Sequence, residues 1–312
     1  MNDDSTQALR AVLLPALGVL RVGGQNPVDF LQGQFTHDAR LLADGRTQLS
    51  ACCTSQGRVI AIVRFRQLDE SVYALLPADL LPRLAAQLRK FVLRSKVEIL
   101  QATDLHVGAV FTRPATGRTE RAAFDEAAMT MSPVPLSGAT EVVSFQYAPG
   151  REVLAAPPSA WRSIGGLSLS RPSPQGQADW LAADVAAGLP QLVAATSEQF
   201  TPQMLNLDLL DGVSFAKGCY TGQEIIARTH HLGRVKRRTR RFRLTEGAGP
   251  APLQHLYLDG EKVADVLMSA TTAAGVELLA VTSLDAGERP LALADGRVAE
   301  PLPLPYPLVT PA

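Results

Sequence analysis

The pattern of apolar and polar positions in the N-terminal part of the chain predicts strands that alternate with helices. Apolar or alternating runs typical of strands lie at residues 17–22, 46–53, 58–65, 72–76 and 97–100. Asn26 and Pro27 predict the start of a first helix, because Pro is favoured at the first helical position. A second, amphipathic helix is predicted from about Ala78 to Leu93, with Asp79 as its N-cap. Helices that return between strands of one sheet indicate an α+β sandwich.

The middle of the chain is interrupted by Pro, Gly and Ser between residues 112 and 177. Within that stretch, short strands are predicted at residues 141–147 and 152–155. A helix is predicted over residues 178–187, because Gly188 is placed to cap its C-terminus and Pro190 to end it.

The last part of the chain has the pattern of an all-β module. Asp259-Gly260 and Asp295-Gly296 each lie between apolar or alternating runs, which is the strongest short signal of a β-hairpin. We therefore predict a small all-β barrel over roughly residues 240–312.

Composition and charge narrow the class of protein. The chain has 312 residues, 46% of them hydrophobic and 19% charged, which is typical of about two globular domains. Thirty basic side chains balance thirty acidic ones, so a global attraction to nucleic acid or to a membrane is not expected. No apolar run is long enough to cross a membrane, and the acidic start Asn2-Asp3-Asp4 does not fit a signal peptide. We expect a cytoplasmic protein.

The cysteines Cys52, Cys53 and Cys219 form an odd, sparse set. Such a set argues against a disulfide framework. It also argues against a permanent all-cysteine iron–sulfur cluster in one chain, because such clusters normally take four thiolates.

The densest chemistry lies in residues 217–224, here called the 217–224 motif, with the sequence KGCYTGQE. Thr221 and Glu224 have capping-box spacing, which predicts that a helix starts at Thr221. Cys219 would then lie just before a helix N-terminus, with Lys217 two residues away. Both features predict a thiol pKa below the usual value of about 8.5, as a reactive or ligating cysteine requires. The alternative is that Cys219 is a small buried residue in a structural loop.

Basic residues are concentrated in residues 234–243, which begin with Arg234 and end with Arg243 and hold seven basic residues in ten. This run is a candidate for anion or RNA contact through phosphate neutralisation, although such runs are more often solvated strand faces. His230 and His231, which precede it, are candidate metal ligands or a solvated pair.

The 217–224 motif resembles the signature of the YgfZ family, the folate-binding relatives of the glycine-cleavage T-protein. Further blocks that resemble the family occur in the family's order: LQGQFTHD (31–38), SKV (95–97), WL (180–181), PQMLNL (202–207) and EPLP (300–303). Together these blocks cover nearly the whole chain.

The resemblance implies a fold, a ligand and partners. The fold would be a three-part α+β ring, with two interleaved α+β lobes in residues 1–238 and a β-barrel in residues 239–312. The ligand would be tetrahydrofolate, with no permanently bound metal. The function would be assembly or repair of iron–sulfur clusters, and the partners would be cluster carriers or client enzymes such as a radical-SAM tRNA methylthiotransferase.

The resemblance also implies site residues. Cys219 and Lys217 would form the reactive pair. We expect contacts to folate, in a central cleft near Trp180, from the following residues at family positions: Trp180, Tyr220, Gln223, Glu224, Gln203 and Asn206.

Two alternative functions remain open. One is a folate-dependent one-carbon transferase of the T-protein type. T-proteins place an acid at the start of the second helix, but Leu80-Leu81-Pro82 has no carboxylate there and only Asp79 is nearby. The other alternative is direct tRNA binding through residues 234–243.

Overall fold

A computed structural model describes residues 9–93, 95–112, 142–161, 173–231, 233 and 235–308. The strands, numbered in chain order, are β1 (Leu9–Leu13), β2 (Leu17–Gly24), β3 (Gln48–Cys53), β4 (Val59–Leu68), β5 (Ser71–Pro77), β6 (Val97–Gln101), β7 (His106–Thr112), β8 (Val143–Ala148), β9 (Arg151–Ala156), β10 (Arg237–Leu244), β11 (His255–Leu258), β12 (Glu261–Thr272), β13 (Gly275–Ser283), β14 (Leu291–Leu293) and β15 (Val298–Leu302). The helices are α1 (Pro27–Gln32), α2 (Leu81–Arg89), α3 (Pro158–Trp161), α4 (Pro174–Ala186) and α5 (Gln223–His231).

The strands form three sheets. A five-stranded antiparallel sheet has the order β3-β4-β5-β2-β6, and a four-stranded antiparallel sheet has the order β1-β7-β9-β8. The third sheet is a closed barrel with the order β10-β13-β12-β11-β14-β15. The predicted α+β class with a C-terminal barrel is confirmed.

The two open sheets are interleaved along the chain. β1 pairs with β7, with Leu9 opposite Thr112, while the whole five-stranded sheet is formed from residues between them. The sequence patterns did not indicate β1 or β7. The predicted N-terminal strands all form, and β3 and β4 are joined at residues 54–57 by the turn expected there.

The barrel confirms both predicted hairpins. Asp259 and Gly260 connect β11 to β12 with φ of 53° and 83°, the positive values that a tight two-residue hairpin turn requires. Gly296, between β14 and β15, has φ of 87°. An apolar cluster fills the barrel interior, while Leu267 and Leu279 pack outward into the core of the five-stranded sheet.

The helices differ in detail from the prediction. The second helix begins as a 3₁₀ turn at Ala78–Leu80 and ends at Arg89, so its last predicted turn does not form. Asp79 is not its N-cap, because its Oδ2 accepts a hydrogen bond from the amide of Ala194 instead. α4 starts earlier than predicted, where Ser173 caps it by accepting from the amide of Gly176.

α4 connects the barrel to the four-stranded sheet. It packs against β12 and β13 of the barrel and against β1 of the four-stranded sheet. At its C-terminus, Gly188 has φ of 64°, as the predicted cap requires. The Oη of Tyr306, from the segment after the barrel, donates to the carbonyl of Gly188 at 2.7 Å.

Candidate functional site

The 217–224 motif lies against residues 32–37, so two blocks that are distant in sequence meet. The Nζ of Lys217 donates to the carbonyls of Gln32, Phe35 and His37 at 2.7, 2.7 and 2.9 Å. Burial lowers the pKa of Lys217 to about 8, so its amine stays protonated at neutral pH. All three N–H bonds of the ammonium are therefore used on backbone carbonyls.

Lys217 thus fixes the motif to the end of α1, where carbonyls lack helical partners. Two further contacts extend the same seam: the amide of Ser214 donates to the carbonyl of Thr36, and the hydroxyl of Thr36 donates to the carbonyl of Gly212. The predicted effect of Lys217 on the thiol of Cys219 stays a prediction.

The N-cap of the helix after the motif lies one residue later than predicted. α5 starts at Gln223, and the amide of Ile226 bonds to the carbonyl of Gly222, so Thr221 is not the N-cap. Gly222 has φ of 85°, and a Cβ there would lie 2.4 Å from the carbonyl oxygen of Thr54. Only glycine allows this close approach of α5 to the β3–β4 turn.

The three cysteines lie in different environments. Cys219 is exposed, whereas Cys52 and Cys53 are buried in β3. Burial raises the pKa of Cys52 to about 12 and raises that of Cys53 as well. Since the thiolate is the reactive form, Cys219 is the thiol that can react with or ligate a partner in the folded chain.

Five arginines of the basic run are paired with acids from other elements, and direct tRNA contact through residues 234–243 stays a prediction. β10 lies inside the barrel sheet, paired with both β13 and β15. Its arginines form ion pairs: Arg237 with Asp265, Arg238 with Asp208, Arg240 with Glu288, and both Arg241 and Arg243 with Glu277. Arg234 lies outside the described residues. The sequence pattern did not indicate these acids as partners, because Glu277 and Asp265 belong to later strands.

His230 packs face to face with the ring of Phe215, with ring centroids 3.7 Å apart, and His231 lies beside it.

Within the described residues, no group of three or more His, Cys, Asp or Glu side chains is placed to hold a metal ion. None of the helices in the described ranges is both long enough and apolar enough to cross a membrane.

A cavity of about 520 Å³ opens between the two open sheets and the segment that follows the barrel. Its lining comes from the 37–49 segment, β4, the β8–β9 turn, the end of α4, residues 210–211 and the segment after the barrel. The polar and aromatic residues among the lining are His37, Asp44, Arg46, Thr47, Gln48, Arg64, Gln146, Tyr147, Asp211 and Tyr306. Sequence reasoning selected none of these as ligand contacts.

None of the eight predicted site residues, all of which are described, lines this cavity, and their role as ligand contacts stays a prediction. Trp180 lies behind the cavity wall. Its ring is 4.8 Å from that of Tyr147, and the guanidinium of Arg151 covers it at 3.7 Å. Trp180 therefore contributes to packing that supports Tyr147.

Gln203 and Asn206 hold the 202–207 segment to its neighbours. The side-chain amide of Gln203 donates to the carbonyl of Ile226, and that of Asn206 donates to the carbonyl of Thr239. Both residues are buried. They join this segment to α5 and to the barrel.

The remaining predicted contacts belong to the motif itself. Tyr220 is buried in the main core, and Gln223 and Glu224 begin α5, where Glu224 is exposed. The structure brings Lys217, Cys219 and these three residues together on one segment. It separates them from Trp180, which belongs to the core of the four-stranded sheet.

Two buried polar atoms of the cavity-lining residues have no protein partner. Gln48 is buried, and its Oε1 makes no hydrogen bond, although its Nε2 donates to the carbonyl of Asp38. Nδ1 of His37 is likewise unpartnered, while its Nε2 lies 3.5 Å from Asp211. Buried polar atoms normally find a partner, so these atoms suit a polar ligand.

Comparison with known proteins supplies relatives and a structural neighbour, while no protein-family model matches the chain. A protein of Colwellia psychrerythraea named tRNA-modifying protein YgfZ is 30% identical over 224 residues, which span 72% of this chain and 68% of the relative. A protein of the same name from Yersinia pseudotuberculosis is 31% identical over 230 residues, spanning 73% and 69%.

One structural neighbour is the glycine cleavage system aminomethyltransferase T of Bartonella henselae. Its crystal structure superposes with a TM-score of 0.69 and 13% identity, covering 96% of this chain and 85% of that one. At this identity the likeness concerns the fold, and it confirms the predicted T-protein-like architecture.

Proposed function

Because the chain belongs to the YgfZ family, we propose that it is a folate-binding accessory protein that supports iron–sulfur enzymes, including enzymes that modify tRNA. The observation that carries the proposal is the separation of two features. A partly open cavity with both polar and apolar lining lies between the two open sheets, and an exposed thiol lies outside it on the 217–224 motif. The first suits a small ligand and the second suits a protein or cluster partner.

The cavity fits a reduced folate in size and in polarity. Its volume of about 520 Å³ lies within the range of small-molecule sites. Gln48 lines the cavity and supplies a side-chain amide that can bond a pterin edge. Tyr147 and Tyr306 offer aromatic surface for a flat ring. When bound, tetrahydrofolate supplies one-carbon and redox chemistry, and the residues named here bind and orient it.

Cys219 is the second half of the proposal. As the exposed cysteine, it can attack a disulfide of a client as the thiolate, forming a mixed disulfide and releasing the client's other sulfur as a thiolate, or it can ligate a cluster in transit. The other two thiols are buried in β3, so this chain would need ligands from a client or a carrier to hold a cluster. A cluster would therefore pass through this chain in transit and would not be its resident cofactor.

A one-carbon transferase of the T-protein type has no specific support in this site. The carboxylate nearest the expected position, Asp79, accepts a hydrogen bond from the amide of Ala194. Asp79 is also absent from the residues that line the cavity. It is therefore not placed against a ligand in the cavity.

A cavity-filling variant tests folate binding. Leu49 lines the cavity and is half-buried, so Leu49→Trp should occupy part of it and weaken tetrahydrofolate binding at least about tenfold in calorimetric titration. The matched control is Leu93→Trp, because Leu93 is 86% exposed and lies elsewhere. Equal affinity of both variants and the unchanged protein would remove folate from this cavity.

The role of Cys219 is tested in cells. Cys219→Ser keeps the size and hydrogen bonding of the side chain but removes the nucleophile and soft ligand, so the protein should fold while tRNA methylthiolation under oxidative stress falls. Cys52→Ala, which changes a buried cysteine, is the control and should keep that activity. Full activity with Cys219→Ser would contradict the thiol role.

A further inference from the structure

Arg64 is a buried cation at the cavity. It is the one charged residue in the apolar first part of β4, and it is 8% exposed. Its Nε donates to the carbonyl of Tyr147 at 3.3 Å, and its guanidinium lies over the Tyr147 ring at 3.5 Å. These contacts use Nε and the face of the guanidinium, so neither terminal nitrogen is bonded to Tyr147. Arg64 also lines the cavity.

The neighbouring Arg151 shows how a buried arginine is paired with an acid in this fold. Its guanidinium also covers an aromatic ring, but it forms an ion pair with the fully buried Asp184 at 2.7 Å. Asp184 also accepts from the Oη of Tyr147 and from the side-chain amide of Gln191. In that network Asp184 is the acidic partner on one side of Tyr147. Arg64 lies over the Tyr147 ring and has no acidic partner among the described residues.

No carboxylate of the described residues lies within 4 Å of the Arg64 guanidinium, and no described acceptor bonds its terminal nitrogens. The acids that line the cavity, Asp44 and Asp211, are exposed, and Asp211 lies beside His37. A buried charge is costly unless it is paired. The cavity therefore presents a fixed positive charge that an anion is needed to neutralise.

We propose that Arg64 is the receptor for a carboxylate of the ligand that occupies the cavity. The planar guanidinium, held on Tyr147, offers two parallel N–H donors, which match a carboxylate in bidentate geometry. This inference rests on the proposed function, in which the ligand is a reduced folate. The glutamyl tail of that ligand is then the group that reaches Arg64.

The test compares tetrahydrofolate with its glutamyl diester, which has nearly the same size but no negative charge. We expect the unchanged protein to prefer the acid at least about tenfold in calorimetric titration, as a charge-assisted contact requires. In Arg64→Met the preference should fall to within about twofold. Arg83→Met, at an exposed position outside the cavity, is the control and should keep the preference.

The outcomes separate this inference from the proposed function. If the unchanged protein binds neither compound, folate binding itself is wrong. If it binds both with equal affinity, or if Arg64→Met keeps the preference, folate binding stands and the carboxylate role of Arg64 is overturned. An equal weakening of both compounds in Arg64→Met would instead assign Arg64 to the pterin and would also overturn the inference.

Stability without ligand gives an independent readout. Because Arg64 lacks an acidic partner in the described structure, Arg64→Met should unfold at the same or a higher temperature than the unchanged protein. Arg151→Met breaks the buried pair with Asp184 and should unfold at a lower temperature. If Arg64→Met lowers the unfolding temperature as much as Arg151→Met does, Arg64 serves the fold, and its proposed role toward a ligand is overturned.

Discussion

Replacing Lys217 with Met tests the most concentrated set of polar contacts in the 217–224 motif. The ammonium donates to the carbonyls of Gln32, Phe35 and His37 at 2.7–2.9 Å, and the residue is 7% exposed. Met has a similar length and adapts to irregular sites, so the change removes three donors without opening a large void. The three carbonyls then remain beside an apolar group.

Hydrogen bonds to charged groups contribute about 1.5–3 kcal/mol each, and desolvation of the ammonium offsets part of that sum. We therefore expect Lys217→Met to lower the free energy of unfolding by about 3 kcal/mol. The assay is urea unfolding followed by tryptophan fluorescence at about pH 7. This is below the Lys217 pKa of about 8, so the amine is protonated in the folded protein.

The control is Lys90→Met, because Lys90 is exposed and its amine bonds the side chain of Gln87. Its loss should change the free energy of unfolding by less than about 0.5 kcal/mol. A loss below about 1 kcal/mol for Lys217→Met, the contribution of an exposed pair, would refute the reasoning. The seam between the motif and α1 would then be held by its other contacts.

Three further predictions concern the backbone, the thiols and the barrel. Gly222→Ala should lower the free energy of unfolding by at least about 2 kcal/mol, because the φ of Gly222 is 85° and a Cβ there would meet a carbonyl. Gly218→Ala, in open space, should change the free energy of unfolding by less than about 0.5 kcal/mol. Similar losses in the two variants would contradict the strain at Gly222. An aromatic disulfide reagent should titrate one thiol, Cys219, in the folded protein and all three after denaturation; more than one in the folded state would be inconsistent with the burial of the others. Arg238→Met should cost about 3–5 kcal/mol of stability in urea unfolding, because it leaves Asp208 without its bidentate partner; a loss under about 1 kcal/mol would show that the pair is dispensable.

The elements that short-range patterns could predict are those whose causes are local. The Asp259-Gly260 turn forms because its residues accept positive φ, whatever the rest of the barrel does. Likewise Pro27 starts α1, and Gly188 ends α4 with φ of 64°. Asp79 shows the limit of such reasoning. Its carboxylate accepts a hydrogen bond from the distant amide of Ala194 and therefore does not cap the second helix.

The cavity could not be predicted in this way, because its lining comes from segments that meet only in the folded chain. Tyr306 follows the barrel, Tyr147 ends a strand of another sheet, and His37 belongs to the block held by Lys217. One signal was available in the sequence. Arg64 interrupts the apolar first part of β4, and a charge in such a position requires either a partner or a ligand.

The pairing of β1 with β7 has a consequence for synthesis of the chain. Leu9 finds its partner at Thr112, and β9, which covers the other edge of β7, ends at Ala156. A ribosome therefore releases the first strand long before its sheet exists. During that interval an apolar strand with unpaired amides and carbonyls is open to association with other chains. Stalled or truncated N-terminal products of this gene should thus depend on chaperones more than the finished protein does.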